Sequence, residues 1–197
     1  TVVLRDPISG VNQIRLVGLQ APKLPLGRRG FKAWPLAEES KLVLERLVLG
    51  KIVKLKYGGR RMDRHGRILA HLFLDDGHWV QEEMLRTGMA RVYSFPDNRA
   101  KVSEMYQFEQ AARNQNKGIW GHPYYAVRGH ESLNADIGTF QVIAGRVLNV
   151  AKVKGRTYIN FGENWRTDFT ITISSKSYKA FKNGDLNLLD LKDKNIR

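Results

Sequence analysis

The period of the apolar positions changes several times along this chain, and each change marks a predicted element. Strands are predicted over 1–5 and 11–19, joined by a turn at Asp6-Pro7-Ile8-Ser9-Gly10 where proline and glycine favour reversal. Pro22, Pro25, Gly27 and Gly30 then break any period, so 20–34 reads as an irregular loop carrying Lys23, Arg28, Arg29 and Lys32. Leu36, Val43, Leu44, Leu47 and Val48 recur on one helical face and predict a helix from Pro35 to Leu49, ended by Gly50. In 51–57 apolar residues alternate with lysines, as in a strand with one wet face. Gly58-Gly59 and a basic run to Arg67 precede a strand over 68–74, and Asp75-Asp76-Gly77 turns it into a second strand at 78–80. A helix over 81–86 stopping at Gly88, a short strand at 90–93 and a helix over 99–116 complete the series. Asn98 is the expected cap of that last helix, and Gly118 lies just past its end.

The order β-β-α-β-β-α-β-α suits a small barrel with helices packed against it. Composition shifts after Trp120, so the expected division is a domain over 1–121, a linker over 122–137 and a β-rich domain over 138–197. In the last part, 140–150, 156–161 and 168–173 alternate as three strands, 176–181 reads as a polar helix, and 184–197 ends without another clear strand. The fold class is α+β, mostly β. Three strands fall short of a five-stranded OB barrel. The second domain is therefore expected either to be cut short or to finish its core against the first.

Charge narrows the partners. With 33 Lys+Arg against 19 Asp+Glu, the formal net charge is +14. Such a surplus favours polyanions, nucleic acid first and an anionic surface second. Cysteine is absent, which excludes disulfides, cysteine–zinc sites and thiol chemistry. No apolar run reaches the length of a membrane span. The chain opens on Thr1 and not on methionine, which suggests removal of an upstream segment and makes an exported or periplasmic location an expectation.

The candidate chemistry lies in two segments, Arg15-Leu16-Val17-Gly18-Leu19-Gln20-Ala21-Pro22-Lys23 and Asp63-Arg64-His65-Gly66-Arg67. Each sets an arginine beside a turn at a strand end, and two guanidinium forks can grip one phosphate. Together with Leu85…Gly88-Met89-Ala90 and Gly118-Ile119-Trp120 in the same order, these segments resemble the staphylococcal nuclease (thermonuclease-like) family over about residues 1–121. The resemblance implies an OB-like five-stranded barrel with three helices and a calcium-dependent phosphodiesterase site. In that site carboxylates hold the cation, a glutamate serves the attacking water, and two arginines bind phosphate. Arg15 and Arg67 match those arginines.

The carboxylates do not match. Gln20 stands where the family has aspartate and Lys23 where it has glutamate. Gln20 offers a metal only a neutral amide oxygen, and a charged Lys23 repels one. The family's first carboxylate falls just before Thr1, so calcium is expected only if an acidic residue precedes this chain. Lys23 reads first as a solvated loop lysine; the alternative, given its neighbours Arg15, Arg28, Arg29 and Arg67, is a lysine that loses its proton more readily and serves as a base, or stays charged as a third phosphate contact. Asp63 reads as structural.

Lys56, Arg60, Arg61, Arg64 and His65 flank the proposed site and extend a positive track; the bland reading is the solvated edge of a strand. The five histidines show no metal-ligand spacing. Tyr158, Phe161, Trp165 and Phe169 interleave with cations in the last part, as in single-strand binders, yet alternating aromatics usually form core. The leading expectation is a protein that binds the sugar-phosphate backbone of DNA or RNA with a degenerate metal site. The alternatives are an active metal-dependent endonuclease and a non-catalytic interaction or envelope module directed at anionic surfaces.

Overall fold

The computed structural model describes residues 1–131, 133–182 and 186–197. By internal contacts the chain divides into two compact units, Thr1–Tyr124 and Tyr125–Arg197.

In the first unit, β1 (Val2–Ile8), β2 (Val11–Leu16), β4 (Val53–Lys56) and β5 (Ile68–Leu74) form a mixed sheet in the order β1-β2-β5-β4. A pair of two-residue strands, β3 (Leu19–Gln20) and β6 (Arg91–Val92), lies outside it. β2 runs parallel to β5 with Arg15 opposite Leu69, so the two arginine motifs meet at neighbouring strands. The first hairpin turns later than expected, at Ser9-Gly10, both with positive φ as a two-residue turn requires. Pro7 is accommodated inside β1 because β1 is an edge strand, and the register shifts between Val3 and Ile8.

Helices α1 (Ala37–Val48), α2 (Val80–Arg86) and α3 (Val102–Asn114) complete the unit. The core joins Ile14, Leu16, Ile68, Ala70 and Leu72 of the sheet to Val80, Met84, Leu85 and Met105 of α2 and α3. The strand expected at 78–80 is only a bridge from Trp79 to Phe73, since α2 starts at Val80. Asn98 does not cap α3. The cap position is Lys101, with no side-chain cap, while the buried Asn98 donates to the Arg60 carbonyl at 2.7 Å. Gly88 and Gly118 bring two backbones together: a Cβ on Gly88 would lie 2.1 Å from the Lys117 carbonyl oxygen.

The second unit holds two small sheets. β9 (Asn149–Val153), β10 (Arg156–Asn160) and β11 (Thr170–Ile173) form one, in the order β11-β10-β9. The other is β12-β8-β7, from β12 (Asn195–Ile196), β8 (Ile143–Arg146) and β7 (Arg128–Gly129). Thus 140–150 divides into β8 and β9, Arg128–Gly129 in the expected linker is paired, and the tail does contain a strand. The start of that tail, 184–185, lies outside the described residues. Helix α4 (Ser175–Lys182) follows β11, and Val147, Ile159, Phe161, Ile173 and Leu188 form the unit's own core.

Candidate phosphate-binding site

The turn after β4 is organised by one carboxylate. Asp63 Oδ1 accepts the backbone N–H groups of His65 and Arg67, and Oδ2 accepts Arg67 Nε at 2.8 Å and Nη2 at 2.6 Å. With the Asp63 side chain 13% exposed and that of Arg67 22%, this is a sheltered pair in which two guanidinium donors converge on one carboxylate oxygen. Burial pushes the Asp63 carboxyl up, but the hydrogen bonds from Arg67 and His65 outweigh it and hold it below its ordinary value. The structural reading of Asp63 agrees with this geometry. Arg67 Nη1 remains turned toward Thr1 Oγ1 at 3.4 Å.

Arg15 faces this turn from β2. Burial and then the nearby Arg67 push its guanidinium below the ordinary arginine value, with Asp63 and Tyr93 acting the other way. Arginine stays charged in proteins, so the lowering reflects burial first and the proximity of Arg67 second, with Asp63 as the local counterion. The structure therefore brings Arg15 and Arg67 into one electrostatic site, with Thr1, Asp63 and Tyr93 around it.

The flanking cations lie on the adjoining turns. Arg64 donates to His65 Nε2 at 3.1 Å, and both are exposed. Arg61 stacks over Tyr57 at 4.7 Å, and Arg60 reaches Asp97 at 3.8 Å. The 57–62 turn is docked on the loop after β6: Arg60 N–H donates to Asp97, and a Cβ on Gly59 would stand 2.1 Å from that same Asp97 oxygen. Lys56 extends over Phe73 at 4.4 Å on β4.

Two aromatics escaped the sequence pattern. Tyr93 and Phe95 meet edge to face at 4.9 Å and, with Arg15, Gly18 and Asn98, line a recess of about 30 Å³. That is a notch, too small to enclose a nucleobase. Phe95 is exposed all the same. The pairing of Tyr93 N–H with the Gly18 carbonyl holds it there, a contact invisible to local patterning. A more open cavity of about 540 Å³ lies at the far end of β5 from Arg67, and Asp76, Glu82 and Glu83 in its lining disfavour phosphate.

The positions of the missing carboxylates are occupied by a different arrangement. Gln20 Oε1 accepts both Nε and Nη2 of the buried Arg91, at 3.0 and 2.9 Å. Arg91 lies 5.8 Å from the Trp34 ring centre, and Lys23 Nζ is 4.9 Å from the same ring. Arg28, expected beside Lys23, instead bonds Leu24 and Pro25 carbonyls and stacks on Phe31. Among the described residues no three or more His, Asp or Glu side chains converge as a metal site. The residues present do not fit a calcium ion: the Gln20 oxygen serves a guanidinium, Lys23 is a cation, and both Asp63 oxygens are engaged.

A family described as staphylococcal nuclease homologue matches residues 13–122. The chain is 34% identical over 108 residues to a probable staphylococcal-like nuclease of Oryza sativa subsp. japonica, covering 55% of this chain and 28% of that protein. It is 33% identical over 117 residues to a probable endonuclease of Komagataella phaffii, covering 55% and 48%. To an uncharacterized endonuclease of Escherichia coli it is 36% identical over 120 residues, covering 61% and 69%. The chain thus spans less than half the length of the first two relatives.

Proposed function

Because this chain belongs to the staphylococcal nuclease homologues, whose fold is OB-like, we propose that it binds the sugar-phosphate backbone of DNA or RNA through Arg15 and Arg67 without needing calcium. The observation that carries this reading is the closeness of two guanidinium groups, Arg15 and Arg67, that share one nearby carboxylate, Asp63, already bonded to Arg67. A phosphate relieves their repulsion and uses their donors. Arg64, His65, Arg60 and Arg61 prolong the field along the adjoining turns, and Lys23 remains a cation held on Trp34. In this reading β2 and β3 act as one bent strand, so that β1, β2–β3, β4, β5 and β6 make up the five-stranded OB-like barrel of the first unit.

The double variant Arg15→Ala/Arg67→Ala is expected to weaken binding of a labelled oligonucleotide at low salt by about 10²- to 10⁴-fold, since hydrogen bonds to charged groups contribute roughly 1.5–3 kcal/mol each and two such groups are removed. Chelator should leave wild-type affinity unchanged. Equal affinity in the wild type and the double variant would remove the arginine grip.

Phosphodiester hydrolysis is the second reading, favoured by one further feature. Thr1 Oγ1 lies 3.4 Å from Arg67 Nη1, so an acidic residue joined ahead of Thr1 would stand near the same guanidinium. The test is cleavage of plasmid and of RNA by a chain carrying its native preceding residues, with and without calcium. No turnover in either condition rejects hydrolysis. Failure to bind nucleic acid while anionic vesicles are bound would favour the surface-module reading.

A further inference from the structure

The family match ends at residue 122 and assigns nothing to the second unit. Cross-strand pairing there separates two faces of the β9–β10–β11 sheet. Thr157 pairs with Lys152 and Ile173, and Ile159 with Val150 and Ile171; Ile159, Ile173, Val150 and Ile171 belong to the core. The alternate positions point the other way and set Tyr158 between Ala151 and Thr172, with Arg156 opposite Val153. Tyr158 is half-buried, is not among the residues packed on that core, and has the small Ala151 and Thr172 as its cross-strand neighbours.

Cations gather at one end of this sheet. Lys154 occupies the β9–β10 turn in a left-handed conformation, and Arg156 begins β10. Ser175 Oγ donates to the Gly155 carbonyl at 2.7 Å, which fastens the start of α4 to the turn and brings the adjoining Lys176 to the same corner. Lys152, paired with Thr157, lies on the core face over Tyr178 at 4.4 Å. Lys154, Arg156 and Lys176 are exposed, and among the described residues none of the three forms an ion pair.

We infer that this face and its β9–β10 corner form a second binding surface, for single-stranded nucleic acid, with Tyr158 as the stacking platform and Lys154, Arg156 and Lys176 as backbone contacts. It rests on the nucleic-acid reading above but uses other residues. A single strand is specified because a duplex hides the base faces that a tyrosine needs, whereas an unpaired base offers one.

The experiment is anisotropy of labelled oligothymidine, oligouridine and a DNA duplex with the full chain, titrated with salt. Lys154→Ala/Arg156→Ala/Lys176→Ala should reduce the slope of log affinity against log salt on single strands by about 2, at roughly 0.7 for each phosphate no longer neutralised. Tyr158→Ala should weaken single-strand binding about 5- to 10-fold with the slope unchanged, and Tyr158→Phe should restore it, which separates stacking from misfolding. An unchanged slope and unchanged affinity, with Arg15→Ala/Arg67→Ala still harmful, would sink this surface and leave the first intact; unchanged binding in all of these variants would sink both. An equal Tyr158→Ala effect on duplex would overturn the single-strand assignment. Anionic vesicle binding that disappears in the triple variant while oligonucleotide binding persists would reassign the surface to lipid.

Discussion

Gln20 shows how a single side-chain oxygen can be committed to a distant partner. Its amide oxygen serves a buried guanidinium 71 positions away, so restoring an acid there would give Arg91 a counterion before it gave a metal a ligand. Gln20→Asp is accordingly expected to raise thermal stability or leave it level and to show no calcium-binding heat in calorimetric titration. Heat of stoichiometric calcium binding would contradict the pairing. His71 makes a second, separate case. It is 2% exposed, neither ring nitrogen has a hydrogen-bond partner, and burial followed by the charge of Lys101 lowers its pKa to about 4, with Glu104 opposing. Because the folded value lies below the unfolded 6.5, the unfolded chain binds the proton more readily, so stability is full above about pH 6.5 and falls as pH drops toward 4. The decrease is expected to be about 3 kcal/mol at 1.36 kcal/mol per pH unit. His71→Leu should flatten the denaturation free energy across this window; an unchanged pH profile would refute the assignment. Arg15 and Arg67 were legible because each sits in a contiguous motif. Arg91 was not, since its role depends on a strand partner distant in sequence.

Among the elements, β5 matched its predicted limits, because a seven-residue apolar run buried by neighbours on both sides has no competing conformation. The errors fell where tertiary contacts replaced local chemistry. Asn98 has the composition of a cap, yet it is spent on the Arg60 carbonyl and helps anchor the turn that carries Arg60 and Arg61. Gly59 has the same task. Its Cβ would meet backbone, which cannot swing aside, so Gly59→Ala is expected to cost about 1–3 kcal/mol. It should also weaken oligonucleotide binding by displacing that turn, measured by chemical denaturation and anisotropy on the same sample. A fully stable variant would show that the turn is not docked as described. The aromatics of the second unit divided in a way alternation could not foresee. Phe161 is core and Phe169 packs on it, whereas Trp165 is exposed beside Arg166 and Tyr158 lies on the opposite face.

At the scale of the molecule, the net charge of +14 governs encounter. Affinity for duplex DNA is expected to fall steeply with salt, and Arg15→Ala/Arg67→Ala should reduce the logarithmic slope by about 0.9, the value for one duplex phosphate no longer neutralised. A slope close to zero in the wild type would show that charge does not drive binding. No helix among the described residues is long and apolar enough to cross a membrane. The division into Thr1–Tyr124 and Tyr125–Arg197 lies close to the compositional shift after Trp120, but Arg128–Gly129 and Asn195–Ile196 take part in a sheet because β8 supplies them with hydrogen-bond partners. From sequence alone came the periodic elements, the charge and the paired arginine motifs, all written in short contiguous segments. Tertiary structure alone decided that Gln20 serves Arg91, that Asp63 is spent on Arg67, and that Tyr158 turns away from its core. Each of those outcomes depends on pairing between distant strands or on a folded turn, and no local pattern encodes it.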